Sequence, residues 1–62
     1  MKKFLITDGK GNYGHAEVIE KDSRNNISVE HLEVRMFHDY DKVHTTNWAS
    51  FLIWYEVCDE LN

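Results

Sequence analysis

The chain has 62 residues, 42% hydrophobic and 13% aromatic, with a net charge of −4 at pH 7 and one cysteine. That length allows one domain, residues 1–62, with a single core. The lone Cys58 excludes an internal disulfide, and the acidic balance is the opposite of what a phosphate-gripping protein shows.

The aromatic content is enough to anchor a small core, so a disordered chain is not expected. Net stability without a staple should be about 3–5 kcal/mol at most. No apolar run approaches the roughly 20 residues that cross a bilayer. Phe4-Leu5-Ile6 behind Lys2-Lys3 imitates a signal peptide, but falls short of the about 7–15 apolar residues of a real one. With no export signal and no disulfide, the expected setting is the cytoplasm, away from membranes.

Lys2 to Thr7 reads as a strand, with Phe4 and Ile6 on one face and Lys3 and Leu5 on the other. Asp8-Gly9 opens a turn in which Gly9, Gly11 and Asn12 tolerate positive φ. A second strand from about Tyr13 to Lys21 alternates Ala16 and Val18 against Glu17 and Ile19, completing a hairpin. Asp22-Ser23-Arg24-Asn25-Asn26 is turn-forming. From Ile27 to Phe37 the alternation is strict, with Leu32, Val34 and Met36 on one side, so a third strand is expected, with room for a bulge.

His38 to Asn47 reads as a polar connection. Trp48 to Leu61 has two readings. As a helix it places Trp48, Phe51, Leu52, Tyr55 and Cys58 on one face, with Thr46 or Asn47 as cap. As a strand it draws on the β-forming run Phe51 to Val57. Fourteen residues suit a helix better, and a sheet needs a cover. The expected fold is therefore α+β: a three-stranded antiparallel sheet, made of a hairpin and a third strand, packed by a C-terminal helix. A four-stranded all-β fold is the alternative.

Gly9-Lys10-Gly11-Asn12-Tyr13-Gly14 matches the G-x-G-x-x-G spacing. A dinucleotide site would need a helix to begin at the third glycine, to present its free N–H groups to pyrophosphate. A strand is expected there, so the segment reads as an ordinary hairpin turn. His15, His31, His38, His44 and Cys58 match no metal-ligand spacing, and alternation turns His31 away from the core. Asp39-Tyr40-Asp41 begins like a calcium loop, yet His44 and Ser50 stand where glycine and glutamate are required. Cys58 neighbours Asp59 and Glu60, which suppress a thiolate, so it reads as a small core residue. No catalytic residue, metal or cofactor is assigned, and an enzyme is not expected.

Charge and aromatics carry the functional expectation. Residues 1–26 hold five basic side chains against four acidic ones, and residues 27–62 hold two against seven. Tyr13, Phe37, Tyr40, Trp48, Trp54 and Tyr55 exceed what so small a core can bury, and Trp and Tyr often dominate binding interfaces. The leading expectation is an acidic protein-binding module, an inhibitor or regulator that occludes a basic, nucleic-acid-binding surface on a larger protein. Its candidate residues are Asp39, Tyr40, Asp41, Trp54, Glu56, Asp59 and Glu60. One alternative is a nucleotide or single-strand binder using Gly9 to Gly14 with Lys2, Lys3 and Lys10, although direct nucleic-acid binding is disfavoured by the charge. Another is a homo-oligomer, in its simplest form a symmetric dimer closed through residues 48–61.

Overall fold

The computed structural model describes residues 2–24 and 27–61. Five strands, β1 (Lys3–Thr7), β2 (Tyr13–Arg24), β3 (Ile27–Met36), β4 (His44–Asn47) and β5 (Glu56–Glu60), form one antiparallel sheet ordered β4-β3-β2-β1-β5. One helix, α1 (Trp48–Trp54), joins the two edge strands across a face of the sheet. No helix among the described residues is long and apolar enough to cross a membrane.

Alternation decides which face α1 covers. Ile6 on β1, Ala16 and Val18 on β2, and Leu32, Val34 and Met36 on β3 are buried together with Phe51 of α1. Phe4, Trp48 and Tyr55 pack around them half-buried. Ring contacts tie the helix to the sheet: Trp48 meets Phe4 and Phe51 edge-on at 5.6 and 5.5 Å, and Phe51 stacks on Tyr55 at 5.3 Å. The residues between the buried ones, Lys3, Leu5, His15, Glu17, Glu33 and Arg35, line the opposite face, away from α1.

The α+β class and the first three strands agree with the expectation, but the sheet has five strands rather than three. β4 lies inside the stretch read as a polar connection. Its threonines favour extended backbone, and it pairs His44 to Asn47 with β3 through its main chain. An edge strand of polar residues carries no apolar alternation to betray it.

Residues 48–61 are neither all helix nor all strand. Asn47 caps α1, its side-chain oxygen accepting from the Ser50 amide at 2.9 Å. The helix ends after seven residues, where Tyr55 turns extended while its amide still donates to the Phe51 carbonyl at 2.9 Å. The chain then pairs with the outer edge of β1, giving that strand a partner on both sides.

Cys58 is exposed, at a β-bulge in β5, and is not a core residue. Leu52, expected on the buried face of a longer helix, is also exposed. β2 runs on to Arg24, and the irregularity in the β2–β3 ladder falls between Val18 and Glu20 of β2 rather than in β3. Of the turn expected at 22–26, Asn25 and Asn26 lie outside the described residues.

Candidate functional site

The glycine-rich segment is the β1–β2 turn, and the amides of Gly9, Lys10 and Asn12 are already bonded within it. The Asp8 carboxylate accepts from the Lys10 amide at 2.8 Å, the Asn12 side chain at 2.9 Å and, more weakly, the Asn12 amide at 3.4 Å. The Gly9 amide donates to the Thr7 hydroxyl at 3.2 Å, and that hydroxyl donates to the Asn12 carbonyl at 2.8 Å. Gly9 and Gly11 take positive φ, +78° and +85°, which explains two of the three glycines. The third, Gly14, is buried in β2 where a side chain would collide with the backbone of Arg35 and Met36. The Asn12 side chain, and then the Lys10 amide, hold Asp8 below the ordinary carboxylate range. An anion entering this turn would have to displace a carboxylate that is already bound.

The most exposed apolar surface is at the end of α1. Leu52, Ile53 and Trp54 are 61%, 73% and 71% exposed. A helix of only seven residues has little length over which to bury more than one stripe, and here the stripe is Phe51, with Trp48 and Tyr55. Two hollows flank the ridge. The larger, about 500 Å³, is lined by Met36, Ile53, Trp54 and Tyr55 and by polar residues of both signs, Asp8 and Asp39 with Lys10 and Lys42. The smaller, about 390 Å³, is lined by Leu52, Trp54, Glu56 and Val57 together with Thr7 to Gly9.

The expected site residues fall into two groups. Trp54 lines both hollows, with Asp39 in the larger and Glu56 in the smaller. Asp59 and Glu60 continue from Glu56 along β5, all of them exposed. Asp39 is partly neutralised by Lys42, 3.5 Å away. Asp41 is exposed and lines neither hollow.

Tyr40 belongs to the other side of the molecule. A 3-10 turn, Phe37–Asp39, folds back over β2, so that the Tyr40 hydroxyl lies 2.6 Å from His15 Nε2. Phe37 and Tyr40 both pack against the His15 ring, and the Arg35 guanidinium sits 5.4 Å above the Tyr40 ring while donating to the Tyr40 carbonyl at 3.3 Å. Burial, together with the nearby charges of Lys3 and Arg35, lowers the His15 pKa, and the pair with Tyr40 therefore holds a neutral ring.

Sequence reasoning missed Leu52 and Ile53. The available signal was the run Phe51-Leu52-Ile53-Trp54 itself: four consecutive apolar residues cannot all face one core from a helix. Among the described residues no group of three or more His, Cys, Asp or Glu side chains converges as metal ligands. No protein-family model matches the chain, and neither a curated protein nor a solved structure is significantly similar to it.

Proposed function

We propose that the protein is a protein-binding module, an inhibitor or regulator that docks on a basic surface of a larger partner and occludes it. The observation that carries this reading is the exposed ridge Leu52-Ile53-Trp54, set between two hollows and continued by the acidic strand β5. An apolar centre with a charged rim is the anatomy of a protein interface, and a tryptophan there is the residue type that most often dominates the binding energy. The acids Glu56, Asp59 and Glu60 select the partner's charge. They speed encounter with a basic surface, and they set like charges against each other in a symmetric dimer built on the same patch.

The nucleotide-binding alternative draws less support, because the Gly9, Lys10 and Asn12 amides of the glycine-rich turn are bonded to Thr7 and to Asp8. Titration with ATP, NAD and short oligonucleotides, followed by Trp fluorescence, would revive it if any response developed below millimolar ligand.

The docking reading is tested by affinity capture from native-host extract with three baits in parallel: the wild type, Ile53→Asp and Trp54→Ala. Both substitutions are at exposed positions and should leave folding intact, which circular dichroism can verify. A partner retained by the wild type and lost from both variants is expected. Equal capture by all three would sink the assignment.

A further inference from the structure

β5 is a free edge of the sheet, and it is the edge beside the ridge. Its two faces differ in chemistry. Val57 is registered with the buried Ile6, so it points to the α1 side, where it is exposed and shares the smaller hollow with Leu52 and Trp54. Glu56 and Asp59 are registered with Thr7 and Leu5, so they point to the opposite side. Glu60, registered with the half-buried Phe4, lies on the α1 side with Val57. Apolar surface and one carboxylate thus reach the sheet's margin on that face, while Glu56 and Asp59 stand along the other.

The main chain at this margin has an outward group. The Leu61 amide donates to the Lys3 carbonyl at 2.8 Å, which makes Lys3 and Leu61 a bonded pair. In an antiparallel ladder the next pair along, Phe4 and Glu60, is then non-bonded, and the N–H and C=O of Glu60 face away from β1. In the free chain the Asp59 carboxylate takes that amide at 2.8 Å. This self-contact shields the edge. It is also replaceable, because an incoming carbonyl would take over the amide and release Asp59 to meet a cation.

A second copy of this chain is a poor occupant. β5 carries Glu56, Asp59 and Glu60 among its five residues, and pairing it with itself brings acids against acids. Like charges on paired strands are destabilising.

We propose that β5 accepts an extended segment of the protein partner as an added strand, with lysines or arginines over Glu56 and Asp59 and apolar side chains over Val57 in the hollow beneath Leu52. This rests on the protein-docking function above and specifies how the partner is held. Such β-augmentation draws affinity from the main chain and specificity from alternate side chains. The bulge at Cys58 interrupts the ladder and limits it to a few bonds, which suits a reversible complex.

The test uses the full chain, labelled with ¹⁵N, and three short peptides of equal length: alternating lysine and valine, alternating glutamate and valine, and the lysine peptide N-methylated at alternate amides. The first should shift the amides of Val57 to Leu61, should protect from exchange the outward Glu60 amide while leaving the protection of the already bonded Leu61 amide as it is, and should shift the Trp54 indole. The second should do neither. The third keeps charge and side chains but loses main-chain donors, so its affinity should fall at least tenfold. Charge reversal in Glu56→Lys with Asp59→Lys should weaken the first peptide by a similar factor.

Equal binding of the methylated and unmethylated lysine peptides would overturn strand addition. So would a response at Trp54 that leaves the Glu60 amide unprotected, although docking through the ridge would then stand. No response to the lysine peptide at millimolar concentration overturns it as well, while the ridge is tested separately by the Ile53→Asp and Trp54→Ala captures.

Discussion

Gly14 and His15 are adjacent in β2 and face opposite sides of the sheet, and each has a specific local constraint. A methyl group at Gly14 would lie 2.7 Å from Met36 Cα and 2.9 Å from its sulfur. The sulfur can move and the backbone cannot, so Gly14→Ala should cost about 1–3 kcal/mol, the usual penalty for overpacking. Urea titration measures this, and an unchanged midpoint would mean that β3 yields more easily than its pairing suggests. For His15 the folded pKa lies below the ordinary value of 6.5. The unfolded chain therefore takes up that proton first as pH falls. The contribution of neutral His15 is complete above about pH 6.5 and is lost as pH drops from there toward the folded pKa. The melting temperature should decline between pH 7 and pH 5, and less steeply in His15→Phe. Parallel declines would show that another group is responsible.

At the scale of elements, α1 is too short to hold itself together. Isolated helices below about 12–15 residues are marginal in water, and this one has seven. It is held by the Asn47 cap at one end and by Phe51 in the core. Asn47→Ala should lower stability by about 1 kcal/mol, visible as a lower urea midpoint with no change in slope. A shift below a few tenths of a kcal/mol would assign the helix to packing alone.

The same element shows what sequence reading can and cannot reach. The alternation of Leu32, Val34 and Met36 was legible, because a half-buried strand repeats every two residues. The change from helix to strand at Tyr55 was not. Phe51 to Val57 is apolar throughout and serves either period, and the choice is settled by β1, whose outer edge takes the strand. β4 was illegible for the complementary reason, since an exposed polar edge strand leaves no apolar pattern. Of the expected site residues, Trp54 borders one hollow with Asp39 and the other with Glu56, whereas Tyr40 faces the other side of the sheet with His15. Only the tertiary fold separates the two groups.

As a whole, the molecule has two unlike faces. On one, α1 seals a core around Phe51 and leaves Leu52, Ile53 and Trp54 outside. On the other, the sheet carries a mixed charged surface with an aromatic cluster at His15, Phe37 and Tyr40. The acidic excess of residues 27–62, evident as a bare count in the sequence, becomes in three dimensions three exposed carboxylates on the edge strand β5, Glu60 on the ridge's side of the sheet and Glu56 and Asp59 on the other. This juxtaposition, rather than net charge, favours a basic protein partner.

The decisive measurement is the affinity of the captured partner for the wild type and for Trp54→Ala, by calorimetry at two salt concentrations. The docking account predicts a loss of about 30-fold or more for Trp54→Ala, equivalent to about 2 kcal/mol, and weaker wild-type binding at the higher salt. Affinities within twofold of each other, with no dependence on salt, would contradict it.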